Sequence, residues 1–537
     1  MCGIFAILNN STINGKIEKS FNSGNGRGPE FSKLSIYKNH VTLGFHRLAI
    51  NGLNNNSNQP LNIDNILLIC NGEIYNYKEL FSNLKITPST QSDCEVIIHC
   101  YKKYGIEYTL ELLDGVFAFI LYDTEKNEIY CGRDIYGVRP MFQSVTQKNS
   151  NQLFFSSELK MIHHLTNEKI EPFLPSTYSK YEFIESDINR GWVCTIQNKP
   201  YFIGTITQNL DVCYSKISNI LNNAVKKRII TTQRPIACLL SGGLDSSLIT
   251  SIVSKYITKQ GKQLETYSIG MEGSDDLKYA KIVADYLKTK HNEIIVTEKD
   301  FLDAIPEVIK TIESYDTTTV RASVGNYLVA KYIKEHSEAK VIFNGDGSDE
   351  VTGGYLYFHN APDSYSFDKE CKRLLKDIHY FDVLRSDRCI SCHGLEARTP
   401  FLDKEFVHHF LSLSHCMRDH NRQNKCEKYM LRDACVNYLP NDVLYRTKEA
   451  FSDGVSKQSR SWYEIIQEHI ETLDLQEKKY LHNPPKTKEQ LYYRNIFESY
   501  YPNRSNVIPY FWMPKFVENA KDSSARTLNI YKEKMKK

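Results

Sequence analysis

The chain has little of the features that would mark a membrane, nucleic-acid-binding or secreted protein. None of its segments approaches the roughly 20 consecutive apolar residues that span a bilayer. Basic and acidic side chains nearly balance, with a formal net charge of +3, so we expect no general attraction to nucleic acid or to a membrane. The N-terminus lacks the charged and then apolar pattern of a secretory signal. The sequence has no internal repeat and no low-complexity tract.

The cysteines do not suggest a disulfide framework. Fourteen of them are scattered through 537 residues, which predicts free thiols in a reducing, cytoplasmic compartment. Cys389-Ile-Ser-Cys392-His393 has the spacing of a covalent haem attachment site, but without a secretory signal we do not favour that interpretation. A zinc site is not favoured either, because no second ligand pair has matching spacing.

What the chain does have is an ordinary globular composition, with 41% hydrophobic residues. Its length allows two to four domains and an ample core. The most informative stretch is PIACLLSGGLDSS, residues 235–247. Ile236 to Leu240 predicts a short buried strand, and Leu248 to Ile257 has the apolar spacing of a helix.

The turn between that strand and helix has the chemistry of a phosphate site. Ser241, Gly242 and Gly243 supply backbone amides at a helix start, where an anion is favoured. Asp245 stands beside them, and a carboxylate next to a phosphate usually indicates a divalent cation between the two. The alternative is a glycine-rich turn with a serine cap. SGGLDSS resembles the pyrophosphate loop of enzymes that split ATP into AMP and pyrophosphate, and no GxxxxGK[ST] loop is present.

Strands and helices then alternate along the chain, which predicts a parallel sheet with helices on both faces and ligands at the carboxyl ends of its strands. The predicted strands are Thr266 to Gly270, Glu293 to Val296 and Lys340 to Phe343. Asp349 follows the last of them, much as Asp245 follows the first strand of the sheet. Two such carboxylates could hold one or two magnesium ions. The alternative is two acidic turns with no ligand between them, which would have the same sequence pattern.

The N-terminal third suggests a different chemistry. Removal of Met1 would leave Cys2 with a free α-amino group, which titrates near neutral pH and could take the thiol proton. Val41 to Ile50 predicts a strand that delivers Arg47, and Ile66 to Cys70 a strand that ends in a polar turn at Asn71 and Gly72. Such a turn could direct two N–H groups at an oxyanion.

Further along, the segments Gly115 to Asp123 and Glu128 to Asp134 predict a hairpin. The alternation of the apolar residues suits a two-layer sheet covered by helices.

Seven motifs make the N-terminal third similar to the class II glutamine amidotransferases. They occur in that family's order as MCGIFAI, GRGPE, HRLAI, CNGEIYN, SDCEV, LDGVFAF and GRDIYGVRP. The resemblance implies an αββα sandwich, an N-terminal-nucleophile hydrolase that converts glutamine to glutamate and ammonia. It makes Cys2 the nucleophile, Asn71 and Gly72 the oxyanion hole, and Arg47 the partner of the glutamine α-carboxylate. The implied glutamine-binding residues are Arg47, Leu48, Ala49, Ile50, Asn51, Asn71, Gly72, Glu73 and Asp93. Taken alone, Arg47 could be a surface cation and Asp93 a helix cap.

Nearly the whole chain resembles the glutamine-hydrolysing asparagine synthetases, more the animal than the bacterial ones. The motifs that carry the resemblance are SGGLDSS, YSIGME, YDTTTVRAS, GDGSDE, GGYLYFH, GLEARTPFLD, RTKEAFSDGV, YFWMPKF and SARTLNIYK. The implied reaction joins aspartate to ATP as β-aspartyl-AMP with release of pyrophosphate, and ammonia carried through a tunnel then displaces AMP. It makes ATP a substrate and Mg²⁺ a cofactor.

The same resemblance implies particular residues for the second reaction. Arg321 and Lys448 would stabilise phosphate charge, Asp346 would act near the adenylate, and Asp245 and Asp349 would hold the metal. The implied ATP-binding residues are Leu239, Ser241, Gly242, Gly243, Asp245, Ser246, Ile269, Asn344 and Gly345. Two positions depart from the family's SGEGSD pattern, because Asn344 replaces a Ser and Asp346 replaces a Glu. The shorter Asp loses roughly 1.5 Å of reach, which puts the role of Asp346 in question.

We therefore expect an α/β protein with an N-terminal αββα sandwich and a C-terminal parallel-sheet ATP-pyrophosphatase domain. The expected parts are a glutamine amidotransferase domain at 2–185, a linker at 186–210, a synthetase domain at 211–517 and a tail at 518–537. The expected partners are aspartate, glutamine and ATP, and a homodimer is a possible assembly. Alternatives are another amidotransferase acting on a phosphosugar, a synthetase without glutaminase activity like the β-lactam synthetases, and a non-enzymatic binding protein. SGGLDSS argues against the first, Cys2 against the second, and the intact Cys2, Asn71 and Asp245 against the third.

Overall fold

The computed structural model describes residues 1–145, 152–185, 190–202, 209, 211–518, 520 and 522–534. The N-terminal part contains two six-stranded antiparallel sheets, in the strand orders β10-β8-β9-β1-β3-β2 and β12-β11-β7-β6-β5-β4. The strands are β1 Gly3–Leu8, β2 Phe31–Tyr37, β3 Val41–Arg47, β4 Leu61–Ile63, β5 Ile66–Ile74, β6 Gly115–Asp123, β7 Glu128–Arg133, β8 Phe142–Val145, β9 Leu153–Ser156, β10 Lys169–Pro172, β11 Thr177–Glu185 and β12 Arg190–Pro200.

The two sheets pack face to face because each strand turns alternate apolar side chains toward the other sheet. Ile4 and Ala6 of β1 lie in one core with Ile69 of β5 and Ile120 of β6. The outer face of the second sheet packs on the helices α2 (Tyr77–Leu84) and α3 (Glu95–Leu112), and Phe21 of α1 (Gly15–Asn22) packs on the first sheet beside Phe5. The αββα prediction and the predicted hairpin of β6 and β7 are therefore confirmed.

The C-terminal part is built on one parallel five-stranded sheet in the order β15-β14-β13-β16-β17. Its strands are β13 Ile236–Leu239, β14 Glu265–Met271, β15 Lys290–Val296, β16 Val341–Phe343 and β17 Glu396–Arg398. Its helices are α4 Tyr214–Ile230, α5 Leu244–Lys259, α6 Asp275–Leu287, α7 Glu298–Ile312, α8 Thr317–His336, α9 Ser348–Thr352, α10 Ser364–Asp377, α11 Asp382–Ser391, α12 Lys404–Ser412, α13 His415–Arg418, α14 Tyr429–Ala434, α15 Asn441–Leu444, α16 Phe451–Gly454, α17 Trp462–Glu471, α18 Lys488–Tyr500 and α19 Asn529–Lys534.

Both faces of this sheet are covered by helices, as its nearly continuous apolar strands predict. Ala237 and Ile342 lie in a core with α7 and α8, whereas Cys238 and Phe343 face the core formed with α4 and α5. The predicted parallel sheet is confirmed. No helix of the described ranges is both long and apolar enough to cross a membrane.

Part of the predicted linker is a strand. β12 occupies 190–200 and pairs with β11 at the edge of the second sheet. Trp192 anchors it, since its ring is 3% exposed and lies 5.3 Å from the ring of Tyr122 and 5.5 Å from that of Phe183. The polar and mixed composition of this strand suggested a linker, because only one of its residues, Trp192, is a buried aromatic at an otherwise exposed edge. Residues 186–189, 203–208 and 210 of the predicted linker lie outside the described residues.

Candidate active sites

Cys2 sits at the start of β1 in the N-terminal domain. Its Sγ lies 3.6 Å from the carbonyl oxygen of Leu48, and burial raises the pKa of the thiol to about 11. With Met1 in place the terminal ammonium is buried and donates to the carbonyl of Leu395 at 3.3 Å. The thiol is therefore protonated at neutral pH, and a base must take its proton before it can act as a nucleophile.

Asn71 and Gly72 lie within a strand rather than in the turn that we predicted. β5 continues to Ile74, because Asn71 and Gly72 pair in register with Ala118 and Phe117 of β6. The side-chain amide of Asn71 is fully buried, and neither its oxygen nor its nitrogen has a hydrogen-bond partner among the described residues. An unmet buried amide costs about 1–3 kcal/mol, so this group is suited to a ligand that would pair with it.

Arg47 ends β3, and its guanidinium holds the loop that follows. It donates to the carbonyl oxygens of Asn54 at 2.9 Å, Asn51 at 3.2 Å and Gly52, and to Oδ1 of Asn58 at 2.6 Å. Leu48, Ala49 and Ile50 of the predicted glutamine contacts are all buried here. Arg47 is thus no solvated surface cation. The α-carboxylate of a bound glutamine would have to replace these hydrogen-bond partners of Arg47 or share the guanidinium with them.

The two predicted acidic contacts face different neighbours. Asp93 accepts a hydrogen bond from the amide of Ile74 at 2.7 Å, and burial raises the pKa of its carboxyl to about 6. Glu73 is directed to the domain interface, where it accepts from Nδ2 of Asn51 at 2.8 Å and pairs with Arg398 at 3.2 Å. Burial raises the pKa of Glu73 well above its usual value.

A pocket opens at the carboxyl ends of β13, β14 and β16 in the C-terminal domain. The predicted ATP-binding residues that line it are Leu239, Ser241, Gly243, Asp245, Ser246, Ile269, Asn344 and Gly345. Gly242 does not line it. That residue has φ +70°, and a Cβ there would lie 2.4 Å from the amide nitrogen of Ala280, so Gly242 serves the tight turn itself.

Two strand-end turns meet in this pocket. A Cβ on Gly345 would lie 2.7 Å from the amide nitrogen of Ser246 and 2.8 Å from Cβ of Asp245, so the turn after β16 presses directly on the start of α5. This contact between backbones brings the two predicted metal ligands, Asp245 and Asp349, to one side of the pocket.

Two lysines join these carboxylates. Nζ of Lys428 lies 2.8 and 2.6 Å from the two oxygens of Asp245 and 2.6 Å from Asp349. Nζ of Lys448 lies 2.7 Å from Asp349 and 3.7 Å from Asp245. Although burial opposes ionisation, the lysines lower the pKa of Asp349 to about 2. Lys428 is 1% exposed at its side chain, and sequence reasoning missed it because no local pattern distinguishes it from other lysines.

The paired carboxylates suit a hard divalent cation. One ammonium touches both, so two oxygen donors lie within reach of one position, and Mg²⁺ is usually held by one or two carboxylates together with substrate phosphates. Over the described ranges of the chain, no group of three or more His, Cys, Asp and Glu side chains is arranged to hold a metal. A Mg²⁺ ion held by these two carboxylates would complete its coordination with water and with phosphate oxygens of the nucleotide.

Asp346 lies in the same pocket beside a cation that the sequence did not indicate. Arg385 of α11 donates to Oδ1 of Asp346 at 3.0 Å and to Asp382 at 2.7 Å. The other oxygen of Asp346 is buried without a hydrogen-bond partner among the described residues. The side chain of Asn344, the second departure from the family pattern, donates to Ser386 of the same helix at 2.7 Å.

Arg321 does not line the pocket. The polar stretch from Asp316 to Ser323, whose composition would suit a loop, is the N-terminal part of α8, which Asp316 caps by accepting from the amide of Thr319 at 2.9 Å. Both edges of the Arg321 guanidinium are taken by carboxylates, Glu489 at 2.6 and 2.8 Å and Asp522 at 2.7 and 2.8 Å. The cations that line the pocket are instead Arg385, Lys428, Arg432, Arg446 and Lys448.

Helix α11 connects the pocket to Cys2. Its residue Asp387 accepts from both terminal nitrogens of the buried Arg27 at 2.6 and 3.1 Å, and Ser391 lies 2.9 Å from the same guanidinium. Arg27 also donates to the carbonyl of Cys2 at 2.9 Å and pairs with Glu158 at 3.2 Å. The two sites therefore share a buried polar interface.

Comparisons with known proteins agree with this two-site arrangement. A family model described as asparagine synthase matches residues 216–370 and 363–515, and one described as glutamine amidotransferase domain matches residues 1–189. The chain is 41% identical over 572 residues to the glutamine-hydrolysing asparagine synthetase of Gallus gallus, covering 99% of both chains. It is 40% identical over 576 residues to the enzyme of that name from Homo sapiens, covering 100% of both chains.

Proposed function

The chain belongs to the glutamine-hydrolysing asparagine synthetases, and from that premise we propose which residues carry each part of its reaction. The enzyme is a ligase that forms asparagine from aspartate and ATP, with glutamine as the source of nitrogen. Its substrates are small molecules. The roles of individual residues, the metal and the route of the ammonia are our proposals.

The N-terminal site hydrolyses glutamine. After removal of Met1, the α-amine of Cys2 takes the thiol proton, and the thiolate attacks the side-chain carbonyl carbon of glutamine. The developing oxyanion is met by the amide of Asn71 and the N–H of Gly72, and the C–N bond then breaks to release ammonia. Water hydrolyses the thioester to glutamate. Arg47 holds the α-carboxylate of glutamine, and Asp93 its α-ammonium.

The C-terminal site activates aspartate. An oxygen of the β-carboxylate attacks the α-phosphorus of ATP, and pyrophosphate leaves with the electron pair of the broken P–O bond. The nitrogen of ammonia then attacks the acyl carbon, so that asparagine forms and AMP leaves. The turn at Ser241 to Gly243 binds phosphate through its amides, and Lys448 and Lys428 neutralise charge there. Asp245 and Asp349 would hold Mg²⁺, which would offset the negative charge of the phosphates.

One observation carries this proposal. Carboxylates from the ends of two different strands meet in one pocket beside a phosphate-binding turn, and the same two lysines contact both of them. Solvated surface lysines, or acidic turns with no cation between them, would not show these shared contacts. Ammonia would pass from Cys2 to this pocket through the interface around Arg27 and α11.

Two further properties belong to the proposal. No disulfide joins the fourteen cysteines, all of which the structure describes, and this supports a reducing cytoplasmic location. A homodimer is the assembly that we propose. Nucleic acid is not among the proposed partners, because the net charge is only +3.

The test separates the two sites in one assay with aspartate, ATP and Mg²⁺, supplied with glutamine or ammonia. Cys2→Ala is expected to abolish asparagine formation from glutamine and to leave formation from ammonia intact. Asp245→Asn and Asp349→Asn are each expected to remove synthesis while glutamine hydrolysis persists, because a lost carboxylate at a metal–phosphate site costs several kcal/mol. Loss of ammonia-dependent synthesis in a folded Cys2→Ala enzyme would contradict the two-site division. Pyrophosphate release at the wild-type rate in either Asp variant would contradict the metal site.

A further inference from the structure

Lys448 belongs to a loop, residues 446–456, that forms one wall of the synthetase pocket. Its regular structure is the single short turn of α16, so contacts from other segments must fix the path of the loop. Lys448 itself reaches across to Asp349 at 2.7 Å. A lysine with a flexible four-carbon side chain keeps that position only if its backbone is held.

The next residue, Glu449, is held by the C-terminal end of the chain. Its Oε1 accepts from Nε of Arg526 at 2.8 Å and from the hydroxyl of Tyr531 at 2.9 Å, and a second nitrogen of Arg526 lies 2.6 Å away. The side chains of Glu449 and Arg526 are 7% and 10% exposed, so solvent screens this ion pair only weakly.

Arg526 also binds the backbone at the far end of the same loop and at the residue that follows it. It donates to the carbonyl oxygens of Asp453 at 2.9 Å and Lys457 at 2.8 Å. Ser524 adds a hydrogen bond to the carboxylate of Asp453 at 2.8 Å. One guanidinium therefore joins three points of the chain around Lys448. Arginine suits this role because its rigid, planar group presents several N–H donors at once.

The same terminal segment is anchored next to the partner of Lys448. Leu528 and Tyr531 are buried in an apolar cluster with Leu356 and Phe358, which follow α9, the helix that contains Asp349. Asp522 adds a third anchor by pairing with Arg321 on α8. The segment thus bridges the two walls of the pocket from which Lys448 and Asp349 project, and it accounts for the position of Arg321 outside the pocket.

We propose that residues 522–531 form a strap that positions Lys448 opposite Asp349, so that Arg526 and Glu449 are positioning residues for aspartate activation. This inference rests on the proposed role of Lys448 in stabilising phosphate charge. Neither Arg526 nor Glu449 needs to touch the reacting atoms for this role, because the strap acts through the backbone of the 446–456 loop.

The first test replaces Arg526. Arg526→Ala is expected to lower kcat for ammonia-dependent synthesis at least about tenfold, because a displacement of about 1 Å can cost roughly a hundredfold. KM for aspartate and the rate of glutamine hydrolysis should stay within about twofold. Arg526→Lys should recover part of the loss, since it keeps the charge but not the fork. The matched control is Arg460→Ala, which removes an exposed arginine paired with Glu298 and Glu468 and should leave kcat unchanged.

The second test distinguishes positioning from general stability. In a Lys448→Gln background, Arg526→Ala should cause no additional loss in ATP–pyrophosphate exchange, because there is no longer a lysine to position. Additive losses would overturn the strap, as would a wild-type kcat in Arg526→Ala. Wild-type activity in Lys448→Gln alone would instead refute the proposed role of Lys448. If Arg526→Ala does not fold, Tyr531→Phe removes only the hydroxyl that binds Glu449, and an unchanged kcat in that variant would overturn the strap.

Discussion

Replacement of Lys428 by Met is expected to destabilise the C-terminal domain in a way that Mg²⁺ corrects. Lys428 is 1% exposed and contacts Asp245 and Asp349 at 2.6 Å each, so its loss leaves two carboxylates that are only 13% and 15% exposed with Lys448 as their shared lysine. Removing one partner of a buried ion pair costs about 3–5 kcal/mol. For a domain of about 300 residues, whose unfolding entropy is about 2.1 cal/mol/K per residue, that corresponds to a fall in Tm of roughly 5–8 °C.

The sign of the Mg²⁺ effect follows from the same geometry. In the wild-type chain the ammonium of Lys428 competes with a cation for both carboxylates, whereas in Lys428→Met the cation meets uncompensated charge. Mg²⁺ without nucleotide should therefore raise the Tm of the variant by several degrees more than that of the wild type. Scanning calorimetry with EDTA and with millimolar Mg²⁺ measures both values, and Mn²⁺ titration without nucleotide should show tighter binding to the variant.

Two further variants make this prediction specific. Gly354→Ala should reproduce part of the effect, because a Cβ there would lie 1.9 Å from Cε of Lys428 and 2.4 Å from Oδ1 of Asp349. Lys372→Met is the control, since its pair with Asp368 is 51% exposed on the lysine side and should be worth less than about 1 kcal/mol. A Tm of Lys428→Met equal to that of the control, or an equal response of variant and wild type to Mg²⁺, would refute the reasoning.

Three other predictions concern single groups. Because burial raises the pKa of Asp93 to about 6, its negative charge is lost as the pH falls through about 6, and KM for glutamine should rise there. Asp93→Asn should raise KM for glutamine at every pH and remove its pH dependence. Asn71→Ala should lower kcat for glutamine hydrolysis by about 10²–10³ and leave ammonia-dependent synthesis unchanged, an outcome that equal rates of hydrolysis would contradict. Asp346→Ala should reduce the rate of asparagine synthesis far more than the affinity for ATP. Asp346→Glu should not increase the rate of synthesis, because the longer side chain would overpack the contact with Arg385. A Glu variant faster than the wild type would show that the Asp site is impaired.

The sequence predicted most where a short segment determines its own structure. The apolar run before Ser241 has the length of a buried strand and forms one, and Gly242 with φ +70° is required by the turn itself. The predicted strand ending at Cys70 stopped four residues early. Polar residues at 71 to 73 suggested a turn, but pairing with β6 and burial between two sheets keep them extended. Local propensity failed there because tertiary contacts, absent from any short window, decide the backbone of that segment.

Lys428 and Arg385 could not have been predicted in the same way. Lys428 meets Asp245 across 183 residues of sequence, and its left-handed backbone, φ 60°, gives no signal in a lysine. Arg321 shows the opposite error. The family resemblance implied that Arg321 is a phosphate ligand, yet two carboxylates from remote segments, Glu489 and Asp522, take its whole guanidinium. In each case long-range charge pairing sets the role of the residue.

Helix α11 shows how these long-range pairs give one segment two roles. Successive residues of a helix are rotated by about 100°, so positions three or four apart share a face and positions two apart face in nearly opposite directions. Asp382 and Arg385 share the face toward the synthetase pocket, where Arg385 binds Asp346. Asp387 and Ser391 share another face, where both bind Arg27 and thereby the backbone of the Cys2 segment. Apolar packing does not explain why a buried helix has a pair of polar residues on each of two faces. The pattern is explained by the position of the helix, which contacts one site on each side.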